Sequence, residues 1–99
     1  MLRLDSGKVP FESWHDKLAI ALQRAVDARL TRLAVGNFVD HKPLRAGVYE
    51  LRIMKSPGLR VYYGLKGDEI VVLIGGGDKA SQKRDIEKAK ELWRKYYEN

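Results

Sequence analysis

The stretch Gly47–Gly77, GVYELRIMKSPGLRVYYGLKGDEIVVLIGGG, decides the fold. Tyr49, Leu51 and Ile53 alternate with Glu50, Arg52 and Met54, the two-residue period of a strand with one buried face. Ser56-Pro57-Gly58 is a turn signal, and beyond it Leu59, Val61, Tyr63 and Leu65 alternate with Arg60, Tyr62 and Gly64. Lys66-Gly67-Asp68 supplies a second tight turn, and Ile70–Ile74 is an unbroken apolar run suited to a central strand covered on both faces. Three strands joined by such short turns make an antiparallel meander. Gly75-Gly76-Gly77 is expected to end the sheet, because glycine has no side chain to pack and permits backbone angles that other residues avoid.

Outside this stretch the period lengthens to that of a helix. Pro10 can open a helix, since its missing N–H would be unpaired there, and Phe11, Trp14 and Leu18 follow at helical spacing. Leu22, Val26, Leu30 and Leu33 continue an apolar stripe that predicts a second helix over roughly 19–35, ended by Gly36-Asn37. Downstream, Ser81 or Asp78 can cap a last helix that carries Ile86, Ala89, Trp93 and Tyr96 on one face and lies across the sheet. Trp14, Trp93 and Tyr96 are read as core; Tyr97 falls off the stripe. With no repeat or linker, residues 1–99 form one α+β domain: two N-terminal helices, a small antiparallel meander sheet and a C-terminal helix.

The 99 residues, 44% of them apolar, can build one modest core, so function sits on the surface of a single domain. No cysteine is present, which excludes disulfides and thiolate metal sites, and His15 and His41 have no ligand-like spacing. No metal or other cofactor is expected. No apolar run reaches the length of a signal peptide core or a membrane span, so a cytoplasmic protein with no membrane partner is expected. The net charge of +6 favours a polyanionic partner.

The excess charge is uneven. Residues 40–66 carry six bases against two acids and residues 79–99 seven against four, whereas residues 67–78 carry three acids and no base. Strand alternation places Arg60 and Tyr62 opposite the apolar set Leu59, Val61 and Tyr63, with Glu50 and Arg52 on the corresponding face of the preceding strand. An Arg–Tyr–Arg cluster there is free to meet a phosphodiester and a stacked base, or else is an ordinary solvated sheet face. The run Gly76-Gly77-Asp78-Lys79-Ala80-Ser81-Gln82-Lys83-Arg84 leads glycines and bases into a helix start and resembles a phosphate-binding loop, without the spacing of a nucleotide-triphosphate motif.

Several segments, in order, resemble the HigB-like addiction-module killer proteins of the RelE/ParE toxin superfamily. They are Gly7–Trp14, Arg29–Leu33 before Gly36-Asn37, Gly47–Ile53, Pro57–Tyr63 and Gly75–Ile86. The resemblance implies a small sheet flanked by helices and a ribosome-dependent endoribonuclease that cuts mRNA. It also implies a helix-turn-helix antitoxin as cognate partner. The family's third-strand Arg falls on Arg60, the preceding strand's basic residue on Arg52, and the polar positions of the last loop and helix on Lys79, Gln82 and Lys83.

Metal-free RNA cleavage needs a base for the ribose 2′-hydroxyl, cations for the phosphorane and an acid for the leaving 5′-oxygen. Arg60 with Arg52 can stabilise the phosphate, Lys79 or Lys83 can transfer a proton, and Glu50 is the other candidate base. Tyr62, Gln82, Arg84 and Lys55 are the candidate RNA contacts. No His stands near the C-terminus to act as acid or base, as it does in several of the superfamily's nucleases. ParE-type relatives poison gyrase on the same fold, and a purely binding module would need only the basic surface, so cleavage competes with both.

Overall fold

Pro10 occupies the first turn of α1 (Pro10–His15), where its fixed φ suits the helix and its lack of an N–H costs nothing. A short turn leads into α2 (Ile20–Ala34), and the side chains of Gln23 and Asp27 tie it back to His15, at 3.0 Å from the carbonyl and 2.8 Å from the ring. Gly36, at φ +89°, follows α2 in the left-handed conformation that ends helices. The remaining elements are β1 (His41–Pro43), β2 (Val48–Arg52), β3 (Arg60–Lys66), β4 (Ile70–Gly77) and α3 (Gln82–Glu98). This computed structural model describes residues 1–4, 6–36, 41–53, 58–66 and 70–98. The turns read at Ser56-Pro57 and Gly67-Asp68, the residues Asn37 and Met54, the candidate contact Lys55 and the side chain of Tyr97 lie outside the described residues.

The four strands pair antiparallel in the order β1-β2-β3-β4, so every strand neighbours the one that precedes it in sequence. The fold class read from the sequence is therefore the one observed, with one more strand. β1 was not expected: three residues ending in a proline carry no two-residue period, and a proline is tolerated because this is an edge strand. Two further expectations are corrected. β4 is the other outermost strand rather than a central one, and it runs through Gly75, Gly76 and Gly77 instead of stopping before them. A Cβ on Gly76 would overlap the ring of Trp14, and one on Gly77 would overlap the carboxylate of Asp85. Glycine at these two positions lets Trp14 and Asp85 lie directly against the strand.

The sheet has a helical layer on each side. Leu51, Leu59, Val61 and Tyr63 pack against Phe11 of α1 and Val26 and Leu33 of α2. On the opposite face Val48, Tyr62, Val72 and Ile74 pack against Ala89 and Trp93 of α3 and against Leu2. Each fully buried Val or Leu in these layers contributes about 1.5–3 kcal/mol relative to exposure. Gly64 lets the Trp93 ring lie on the sheet, since a Cβ there would stand 2.5 Å from it. The chain start is tied to the outer edge of β4, where the Leu2 N–H donates to the Leu73 carbonyl at 2.8 Å.

This second layer corrects the view that Arg60, Tyr62 and Glu50 share a free face. Tyr62 is 1% exposed, Glu50 2% and Arg60 6%, because α3 lies over them. Of the three aromatics read as core, Trp93 is buried, Trp14 is half-buried and Tyr96 is 38% exposed, stacked on Trp93. No described helix is long and apolar enough to cross a membrane.

Candidate functional site

Register brings the polar residues of β2 and β3 together at one end of the sheet. Arg52 stands opposite Arg60 and Glu50 opposite Tyr62, so these side chains share one face. The start of α3 then meets that face. Asp78 caps this junction by accepting the Ser81 N–H at 3.1 Å, which sets Gln82 at the first position of the helix. Gln82 Nε2 donates to Glu50 Oε2 at 2.9 Å.

The other carboxylate oxygen of Glu50 faces the Arg60 guanidinium, with Oε1 3.6 Å from Nε. That separation is an ion pair and not a hydrogen bond. Arg60 NH1 donates instead to the Gly58 carbonyl at 2.8 Å, and Nε is buried with no hydrogen-bond partner among the described residues. Two opposite charges are thus withdrawn from water and held by each other, by Gln82 and by one backbone carbonyl. Burial of charge at this depth is tolerable only in such company.

Lys79 approaches the same point. Gly58 has φ +81°, and a Cβ on it would stand 3.0 Å from Lys79 Cβ and 3.2 Å from Arg60 NH1. A glycine is needed there for both the backbone conformation and the close approach. Glu50, Arg60, Gln82 and the backbone of Lys79 therefore converge. Arg52 flanks them on the surface, where it lines a small hollow with His41, Lys42 and Glu50. Lys83 and Arg84 are exposed in the first turn of α3, immediately after Gln82. Tyr62, expected to be available for stacking on RNA, is enclosed beside Glu50.

Burial pushes the Tyr62 hydroxyl pKa well above its ordinary value, and the carboxylates of Glu50 and Asp85 push it further in the same direction. This phenol therefore stays protonated at neutral pH. Tyr63 is likewise raised, by burial first, and its hydroxyl meets His41 Nδ1 on the opposite face. There His41 stacks on Tyr49 at 4.7 Å and Tyr49 on Tyr63 at 5.5 Å. Sequence reasoning missed this stack, because His41 belongs to the unexpected β1. It also passed over Asp85, whose Oδ2 accepts the Ser81 hydroxyl at 2.5 Å beside Gly77.

Among the described residues no group of three or more His, Asp or Glu side chains is placed to hold a metal ion. The exposed cations Arg52, Lys79 and Lys83 offer surface sites for phosphate, and the Glu50–Arg60–Gln82 group offers a carboxylate fixed in orientation.

Comparison with known proteins gives two matches. The family described as phage derived protein Gp49-like (DUF891) matches residues 13–94. An uncharacterized protein of Haemophilus influenzae is 43% identical over 83 residues, which span 83% of this chain and 84% of the relative. No solved structure matches the chain at a significant level.

Proposed function

The chain belongs to the phage-derived Gp49-like family, and on that premise we propose that it is the toxin of a toxin–antitoxin pair which cleaves mRNA on the ribosome without a metal ion. The observation that supports this reading most is the convergence of Glu50, Arg60 and Gln82 beside Lys79, with Arg52 on its flank. It joins both basic segments of the sequence at one end of the sheet. The likeness to HigB-like members of the RelE/ParE superfamily points to the same chemistry.

In this reading Arg52, Lys79 and Lys83 bind the phosphates around the scissile bond. Glu50, oriented by Arg60 and Gln82, removes the proton from a ribose 2′-hydroxyl. The 2′-oxygen attacks the adjacent phosphorus, the bond to the 5′-oxygen breaks, and a lysine ammonium returns a proton to that leaving oxygen. The products are a 2′,3′-cyclic phosphate and a 5′-hydroxyl end. Arg60 acts from behind the carboxylate, and its charge favours the negative phosphorane. A helix-turn-helix antitoxin with an acidic or apolar docking surface covers the basic end of the sheet and silences it.

The test is primer extension on a message being translated in a reconstituted system, with a supercoiling assay run in parallel. New 5′ ends within the reading frame, absent without ribosomes and absent when the antitoxin is added, are the expected result. Intact messages together with inhibited gyrase, or intact messages and normal growth with soluble protein accumulating, would overturn the proposal.

A further inference from the structure

Between α1, the outer edge of β4 and α3 lies an open cleft of about 160 Å³ that the group around Glu50 does not include. It has room for a ring-sized group, well below the ~300–1,000 Å³ of a site for drug-sized ligands. Pro10 and Leu92 give it apolar sides, and the exposed Lys8 and Lys88 stand at its rim. Its wall includes Tyr62, whose hydroxyl is buried with no hydrogen-bond partner among the described residues. Asp85, whose Oδ2 accepts the Ser81 hydroxyl, is another wall residue, so the cleft is lined by both a donor and an acceptor.

Gly75 supplies the second observation. Its neighbours Gly76 and Gly77 must be glycine to clear Trp14 and Asp85, but a Cβ on Gly75 would meet nothing within 4 Å. Its backbone does not require glycine either, for it is not among the residues of positive φ. Gly75 is the register partner of Tyr62 and lines the cleft. The absent side chain has no packing role, and what it leaves is open space in the cleft.

We propose that this cleft is a nucleotide subsite that seats one base of the RNA, an inference that rests on the RNA-cleaving function proposed above. The apolar sides suit a flat ring, the Tyr62 hydroxyl and the Asp85 carboxylate suit a base that presents both an acceptor and a donor, and Lys8 and Lys88 suit the adjoining phosphates. Tyr62 lies opposite Glu50 and two residues from Arg60, so the seated base is close in the strand to the bond being cut. The cleft then contributes to which sequence is cleaved.

The experiment is an amide NMR titration of the whole chain with the four ribonucleoside 5′-monophosphates, the parent nucleosides and inorganic phosphate. At least one nucleotide is expected to give saturable shifts at Gly75, Asp85 and Ala89, which phosphate alone does not give. Gly75→Val should melt like the parent and abolish those shifts, and Gly75→Ala should weaken them if valine disturbs the packing. Tyr62→Phe should weaken binding by up to about tenfold, the usual worth of one hydrogen bond. Absence of saturable shifts with every nucleotide, equal shifts with phosphate alone, or undiminished binding by Gly75→Val would overturn the subsite. Nucleotide binding by a chain that leaves messages intact would keep the subsite and remove the nuclease; message cleavage without nucleotide binding would do the reverse.

Discussion

Arg60→Ala is expected to be primarily a folding variant, contrary to what strand alternation alone predicts. The substitution leaves the Glu50 carboxylate, 2% exposed, with the Gln82 amide as its one remaining side-chain partner among the described residues. At 3.6 Å, and with an effective dielectric constant of about 20, the attraction lost is about 5 kcal/mol. Desolvation of the arginine is regained, so the net cost should fall in the range of about 3–5 kcal/mol seen when one member of a buried pair is removed. For a 99-residue domain that loss lowers Tm by roughly 12 °C or more and takes a large share of a total stability of about 5–15 kcal/mol. Urea unfolding followed by circular dichroism measures it directly. The double variant Arg60→Leu/Glu50→Leu should recover most of the loss, because it removes both charges and fills the space with apolar atoms. If Arg60→Ala unfolds within about 0.5 kcal/mol of the parent, as an exposed truncation does, the pair is solvated in solution and the reasoning fails.

The exposed cations should behave in the opposite way. Lys79→Ala combined with Lys83→Ala is expected to melt with the parent while single-turnover message cleavage on ribosomes slows by about 10²-fold. Gly64→Ala places a Cβ 2.5 Å from the Trp93 ring and should cost about 1–3 kcal/mol, read from the shift of the urea midpoint. At alkaline pH the two buried phenols set the trend. Tyr62 and Tyr63 have folded-state pKa values raised above their ordinary 10.0, mainly by burial, so the folded chain holds protons that the unfolded chain releases. Their contribution is complete below pH 10 and declines as pH rises beyond it. Unfolding free energy measured from pH 8 upward should therefore fall past pH 10, and a flat profile there would contradict the burial of both hydroxyls.

Much of this architecture is legible in the sequence because its elements obey simple periods. The 3.6-residue stripe through Val26 and Leu33, and the alternation of Leu51, Leu59, Val61 and Tyr63, each mark one side of a helix–sheet contact, and those residues are buried together. Periodicity fails where both faces of a strand are covered. Val48, Glu50, Arg60 and Tyr62 fall on the off-phase of the apolar alternation and would be solvated in a two-layer protein. Here α3 buries them, and the clues lay in Gly64 and Trp93, which only a third layer explains. The three glycines misled for a related reason: they read as a strand terminator, yet two of them are strand residues from which side chains are excluded by Trp14 and Asp85. Of the candidate site, the meeting of Arg60 with Glu50 could be anticipated from neighbouring strands, whereas Gln82 and Lys79 were joined to that pair only through the family resemblance. The depth at which the pair lies could not, because depth depends on where a helix distant in sequence comes to rest.

The tether between Leu2 and the edge of β4 bears on the order in which the chain acquires its structure. Strand pairs in this sheet close over short spans, as at Lys66 and Ile70, whereas the Leu2–Leu73 hydrogen bond joins positions 71 residues apart. In a flexible chain the longer loop carries about 2.5 kcal/mol more closure entropy, so hairpins zip first and the leading segment docks after them. During synthesis that segment leaves the ribosome before any of its binding surface exists. Leu2, buried in the finished protein, must stay in water until the last strand and α3 have emerged. The packing of Leu2 is therefore completed only after β4 and α3 have both been made.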